Sequence, residues 1–207
     1  MIETLALLSW ETAWPYILAI FFLSYLLGSI PFGLIFAKLA GAGDIRKIGS
    51  GNIGATNVLR TGKRWAAAAT LICDCAKGYA AVVVGGNMGG QTFAVFAGFG
   101  AFIGHLYPIW LGFKGGKGVA TFIGIVFALA PPVALIVCAS WLGLAQAFRY
   151  SSVAALVSTA MTPLYFLFLG TTLFALLTFI MVILIFISHR ANIARLVRGD
   201  EPKIGAA

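Results

Sequence analysis

The strongest constraint on this 207-residue chain is a series of apolar runs close to membrane-spanning length, broken by short stretches rich in glycine, proline or charge. A bilayer core about 30 Å thick takes roughly twenty apolar residues of helix to cross. Only 10% of the residues are charged and 61% are hydrophobic, whereas a soluble domain carries about a quarter charged residues. An ordinary soluble enzyme is excluded, and no room remains for a separate soluble domain. The predicted fold is all-α, a single polytopic membrane domain over residues 1–207, since helices satisfy their own backbone polar groups in lipid.

In chain order, the first span is expected from Ala13 to Ala37, with a kink at Pro31. A polar loop, Lys38 to Arg64, follows. The second span, Trp65 to Val84, carries Asp74 and Lys77 at i, i+3, where they can pair on one face. Gly85 to Gly90 reads as a turn. The third span, Gln91 to Tyr107, is rich enough in glycine and alanine for close helix packing. The run from Val119 meets Pro131-Pro132 after about 20 Å, short of the bilayer core. It reads as a short fourth helix, with a fifth from Val133 to Phe148. Ser152 to Phe168 and Thr172 to Ser188 complete seven expected helices. Basic residues collect on the cytoplasmic side of membranes. Splitting the chain at the prolines puts every Lys and Arg except the intramembrane Lys77 on one side, with the N-terminus outside and the C-terminus cytoplasmic.

Glu3 and Glu11 stand where a signal peptide would be basic, so none is expected. The net charge of +8 lies at helix ends and loops, without a basic–aromatic ladder. Its expected partner is anionic lipid or substrate, not nucleic acid. The 3 cysteines have no metal-ligand spacing; neither metal nor cofactor is expected.

Three polar clusters fall on the cytoplasmic side in this topology. Gly49-Ser50-Gly51-Asn52-Ile53-Gly54-Ala55-Thr56-Asn57 is flanked by Arg46, Lys47 and Arg60. Glycines that admit positive φ let backbone N–H groups converge on an anion. No strand precedes the stretch, which excludes a dinucleotide-binding fingerprint. Lys114-Gly115-Gly116-Lys117-Gly118 forms a second cluster at a helix N-terminus, again suited to an anion. In the third, His189, Asn192 and, less squarely, Arg195 share one helical face, and histidine suits proton transfer near neutral pH. Neither His105 nor His189 has the aspartate five residues on that many acyltransferases use; Trp110 and Ala194 stand there. An activated acyl donor would compensate.

Gly28-Ser29-Ile30-Pro31, Asp44 through Asn57 with Arg60, Gly104-His105 with Phe113 through Thr121, and His189 through Leu196 with Gly199 and Glu201 resemble the signature motifs of the bacterial acyl-phosphate:glycerol-3-phosphate acyltransferases, in the same order and spacing. The resemblance implies transfer of a fatty acyl group from acyl-phosphate to the 1-hydroxyl of glycerol 3-phosphate, without a covalent enzyme intermediate. It implies His189, Asn192, Lys117 and Ser50 as catalytic residues. For substrate binding it implies Arg46, Gly49, Gly51, Asn52, Thr56, Asn57, Arg60, Lys114, Gly115, Gly116, Ser152 and Glu201. Expected partners are the bilayer, both substrates and the soluble enzyme that makes acyl-phosphate; the expected location is the bacterial cytoplasmic membrane, with the active site facing the cytoplasm. A small organic-phosphate transporter is the alternative, because broken helices also aim their N-termini at anions.

Overall fold

A computed structural model describes residues 10–205 of the chain, so the expectation resting on Glu3 lies outside the described residues. Every regular element among them is helical. The helices are α1 (Trp10–Gly28), α2 (Phe32–Leu39), α3 (Ala55–Leu59), α4 (Arg64–Leu106), α5 (Val119–Leu129), α6 (Pro131–Phe148), α7 (Ser151–Ala160), α8 (Thr162–Phe168), α9 (Thr172–Ser188) and α10 (Arg190–Arg198), with 3-10 turns at Ile45–Lys47 and Ile109–Leu111. The chain divides into two compact units, the first ending at Ala128 and the second beginning at Leu129.

Outward side chains identify the solvent as lipid. Phe22, Leu23, Ile72, Leu142 and Leu164 are each 57–65% exposed, a density of apolar surface that water would not tolerate. Four stretches are long and apolar enough to cross a membrane among the described residues: Thr12–Leu39, Arg64–Leu111, Pro131–Phe148 and Ser151–Phe168. The pair α9 and α10, bent by 56°, makes a fifth.

Each break in the helical pattern has a local cause. Pro31 supplies no N–H, and the expected kink there is a full interruption between α1 and α2. The expected six-residue turn at 85–90 is shorter: α4 stays helical to Met88 and turns at Gly89 and Gly90, where φ reaches +70° at Gly90. Ala130, extended at φ −156° and ψ 94°, separates α5 from α6, which starts on its two prolines as the split reading expects. Pro163 divides the sixth expected span into α7 and α8, a break that was not anticipated.

In the first unit, α1 lies along α4 with almost no side chain between them. A Cβ at Gly28 would overlap the Ala101 carbonyl, and one at Gly104 would overlap that of Tyr25. Such approach suits helices in lipid, where dispersion contacts replace the hydrophobic drive. Ala13, Ile17 and Ile20 of α1 meet Ala81, Phe93, Ala97 and Ala101 of α4 in one apolar core. Ala37, Ile45, Ile53, Val58, Ala66 and Ala67 form a second core under the polar loop. The second unit buries Val137 of α6, Ala154 of α7, Phe166 of α8 and Met181 of α9, with Phe166 and Phe174 meeting edge to face at 5.7 Å.

Candidate active site

The polar loop of the first unit has more structure than a flexible linker. Asp44 accepts from the Arg46 backbone N–H, opening the 3-10 turn, and pairs with the Arg46 guanidinium through two bonds of 2.9 and 2.8 Å. That bidentate contact pulls the Asp44 carboxyl down to about 2 and raises Arg46, so both groups stay charged near neutral pH. Gly49 and Gly51 have φ of +54° and +68°, the left-handed conformation that the sequence reading requires of them.

Asn57 closes the loop on itself. Only 2% exposed, its amide donates to the Ile45 carbonyl at 2.8 Å, and its Oδ1 accepts from the Ser50 N–H at 3.2 Å. Gly51 N–H bonds the Ile48 carbonyl at 2.9 Å, and the Asn52 N–H lies 3.4 Å from Ser50 Oγ. A Cβ on Gly49 would come within 2.8 Å of the Arg60 guanidinium, so the Arg60 side chain passes close to the glycine backbone. The loop thus brings Ser50, Asn57 and Arg60 together. Thr56, on the first turn of α3, is exposed. Several of the N–H groups expected to cradle an anion are engaged inside the loop, which leaves side chains such as Arg60 to meet one.

The second cluster departs from expectation in the same way. Gly115 N–H donates to the Leu106 carbonyl and Gly116 N–H to that of His105, both at 3.0 Å. These bonds satisfy carbonyls at the C-terminus of α4, which a helix end otherwise leaves unpaired. Gly115 and Gly116 therefore shape the loop instead of pointing donors outward. Lys114 in this loop is exposed and Lys117 is half-buried, just ahead of the N-terminal turn of α5. Leu111, just before this loop, packs on the apolar core beneath the first loop, so both basic clusters of this unit share one foundation.

In the second unit the chain turns sharply at His189, between α9 and α10. Its Nδ1 lies 2.8 Å from the Ile185 carbonyl. A carbonyl only accepts, so Nδ1 carries the proton and Nε2 holds the basic lone pair in the neutral ring. One turn on, Asn192 donates to Glu201 Oε1 at 2.6 Å; Ser152 Oγ donates to the same oxygen at 2.7 Å, and Arg195 Nε donates to Oε2 at 2.7 Å. Burial alone would raise the Glu201 carboxyl, but the bonds from Asn192, Ser152 and Arg195 outweigh it and hold the group below its ordinary value. Asn192 and Arg195 both reach Glu201, as their shared face in the sequence predicts. The tail is strapped further by Arg149, whose carbonyl accepts from the Ile204 N–H at 2.6 Å and whose guanidinium donates to the Ile204 carbonyl at 3.0 Å.

Sequence reasoning missed one constellation. Asp74 and Lys77 form the expected i, i+3 pair at 2.8 Å, and His105 joins them, its Nδ1 3.5 Å from Asp74 Oδ1. His105 stood in a quoted motif, but nothing in its spacing pointed to a partner 31 residues earlier in the chain. Among the described residues no group of histidine, cysteine and carboxylate side chains is arranged to hold a metal ion.

Known proteins share both the sequence and the fold. The glycerol-3-phosphate acyltransferase family profile matches residues 18–199. A "Glycerol-3-phosphate acyltransferase" of Mesorhizobium japonicum is 58% identical over 190 residues, covering 92% of this chain and 96% of its own. A protein of the same name from Brucella suis is 57% identical over 182 residues, with 88% and 90% covered. Among solved structures, PlsY (YgiH), described as an integral membrane glycerol 3-phosphate acyltransferase, superposes in its glycerol 3-phosphate form with a TM-score of 0.87 at 38% identity, over 92% of this chain and 96% of that one.

Proposed function

Because the chain belongs to the glycerol-3-phosphate acyltransferase family, we propose that it transfers a fatty acyl group from acyl-phosphate, and not from acyl-CoA or acyl carrier protein, to the 1-hydroxyl of glycerol 3-phosphate. The hydroxyl oxygen attacks the acyl carbon, the C–O bond to phosphate breaks, and inorganic phosphate leaves. The hydroxyl proton passes to His189 Nε2 or to the departing phosphate. Lysophosphatidic acid remains in the bilayer, where it enters phospholipid synthesis.

The choice of donor is supported by the sequence, where neither His105 nor His189 has an aspartate five residues on. His189 Nδ1–H meets a neutral backbone carbonyl at 2.8 Å. That bond fixes the tautomer and leaves Nε2 as the nitrogen that takes a proton. His105, which approaches Asp74, is buried beside Lys77. A modest base is adequate when the leaving group is phosphate from a mixed anhydride.

In this reading Arg60, Lys114, Lys117 and Ser50 engage phosphate groups, with Asn52, Thr56 and Arg46 at the margin of that binding. Gly49, Gly51, Gly115, Gly116 and Asn57 hold the loops in shape. His189 and Asn192 act at the reacting hydroxyl or carbonyl, and Glu201 with Ser152 fixes Asn192. In this reading the helices make seven membrane crossings: α1 with α2, two within α4, the short α5, α6, α7 with α8, and α9. The basic loops then face the cytoplasm of a bacterial inner membrane, where a soluble enzyme supplies acyl-phosphate.

The test uses purified protein in detergent with acyl-phosphate and radiolabelled glycerol 3-phosphate, and with acyl-CoA in a parallel arm. Labelled lysophosphatidic acid is expected from acyl-phosphate alone. Its absence there rejects the reading, and equal yield from acyl-CoA rejects the donor. A transporter would give no product, since detergent leaves no sealed compartment.

A further inference from the structure

We propose that Asp74, Lys77 and His105 act as a positioning cluster for the acyl-transfer reaction, setting the Lys117 loop and the helix beneath the Ser50 loop from one buried point. The proposal rests on the acyl-transfer reading above.

All three residues are nearly sealed, at 3%, 3% and 5% exposure. Burying charges this way is expensive in a membrane protein, and replacing a buried ion pair with apolar groups is often neutral or stabilising. Stability alone therefore gives no reason for this arrangement. Its outward contacts do.

Lys77 reaches the break between α1 and α2. Its Nζ donates to the Ile30 carbonyl at 3.1 Å and lies 5.7 Å from the centre of the Phe32 ring. Pro31 stops the helical ladder there, and Lys77 takes up a carbonyl at the interruption. The direction of α2 follows from this bend. α2 in turn supports the opening loop: the Ile53 carbonyl lies so close to Gly33 that a Cβ would overlap it, and Ala37 packs with Ile45, Ile53 and Val58.

His105 carries the other connection. Its Nδ1 faces Asp74, while the Nε2 edge of the ring lies against Gly116, where any Cβ would collide with it. The Gly116 N–H returns to the His105 carbonyl at 3.0 Å, so the residue before Lys117 is held by both the ring and the backbone of one histidine. Displacing a binding group by about 1 Å costs on the order of a hundredfold in rate, so a shift at this buried point should be felt at both basic loops.

The Asp74→Asn/Lys77→Met double variant tests this without stranding a lone buried charge. Its Tm in detergent is expected to match the wild type within a few degrees. Its kcat is expected to fall roughly tenfold to a hundredfold, with a raised KM for at least one substrate. The KM shift separates positioning from stability, because a smaller folded fraction lowers apparent kcat and leaves KM alone. His105→Leu should show the same split, and His105→Asn, which keeps an N–H toward Asp74, should recover most of the loss. Wild-type kcat and KM in a folded double variant or in His105→Leu would overturn the proposal. If the double variant melts early, the His105 pair decides alone, since it leaves the ion pair in place. Wild-type protein runs alongside: no product from it rejects the acyl-transfer reading itself, whereas loss confined to the variants bears on the cluster.

Discussion

Asn192 donates its side-chain amide to Glu201 at 2.6 Å, across the turn that ends α10. Glu201 is only 8% exposed and also takes Ser152 and Arg195, so removing it takes an acceptor from the buried Ser152 and Asn192 and from the half-buried Arg195. Glu201→Ala should cost about 3 kcal/mol, seen as a fall in Tm of roughly 5–10 °C, together with loss of acyl transfer. Thermal unfolding in detergent checks the first and the product assay the second. The pH dependence has a definite sign. A carboxyl held below its ordinary value contributes its full stability above the unfolded-state value and loses it as pH falls through the folded one. Wild-type Tm should therefore hold from neutral pH to about 5 and decline below about 4, while Glu201→Gln should lose that part of the decline.

His189 presents a fixed tautomer, with Nδ1–H on Ile185 and the lone pair on Nε2. His189→Ala should lower kcat by on the order of a hundredfold, with smaller changes in both KM values, as expected for a group acting on the proton in flight. Steady-state kinetics at saturating acyl-phosphate measure this directly. A near-normal kcat would assign the proton to the substrate's phosphate and leave His189 a structural part at the bend.

Arg60 passes close to the Gly49 backbone and Lys117 follows the Gly116 contact, so the two cations belong to different loops of the same unit. If each loop serves one phosphate, Arg60→Ala and Lys117→Ala should raise the KM of different substrates, each by roughly tenfold or more. Titrating each substrate with the other held saturating resolves the two. An equal rise in both KM values for both variants would mean that the loops share a single phosphate.

Residue types showed in the sequence what local rules control, and long-range contacts stayed hidden. Pro31, Pro131 and the glycine-rich third span announced the breaks and the close packing, because proline and glycine act on the backbone beside them. The Asp74–Lys77 pair was legible for the same reason, at one helical turn. Glu201 was legible only as a motif position; its hold on Ser152 depends on how the tail returns past Arg149. The Gly115 and Gly116 N–H groups were misjudged. A glycine-rich loop before a helix looks like an anion cradle, yet here it caps the preceding helix, a use that depends on where α4 ends.

The glycines of α4 give a last test of what holds the first unit. At Gly104 a Cβ would overlap the Tyr25 carbonyl and come within 3.0 Å of backbone atoms of Gly28 and Ser29, none of which is a yielding side-chain tip. Gly143, inside α6, has no described atom beyond its own stretch of helix within 4 Å of the same position. Gly104→Ala should force α1 away from α4 and cost about 1–3 kcal/mol, whereas Gly143→Ala should be neutral or gain up to about 1 kcal/mol. Tm values of the two variants in one detergent compare them under equal conditions. The contrast isolates close approach as the cause, since each substitution adds the same methyl group to a helix. Equal effects would mean that α1 and α4 do not depend on backbone contact at Gly104.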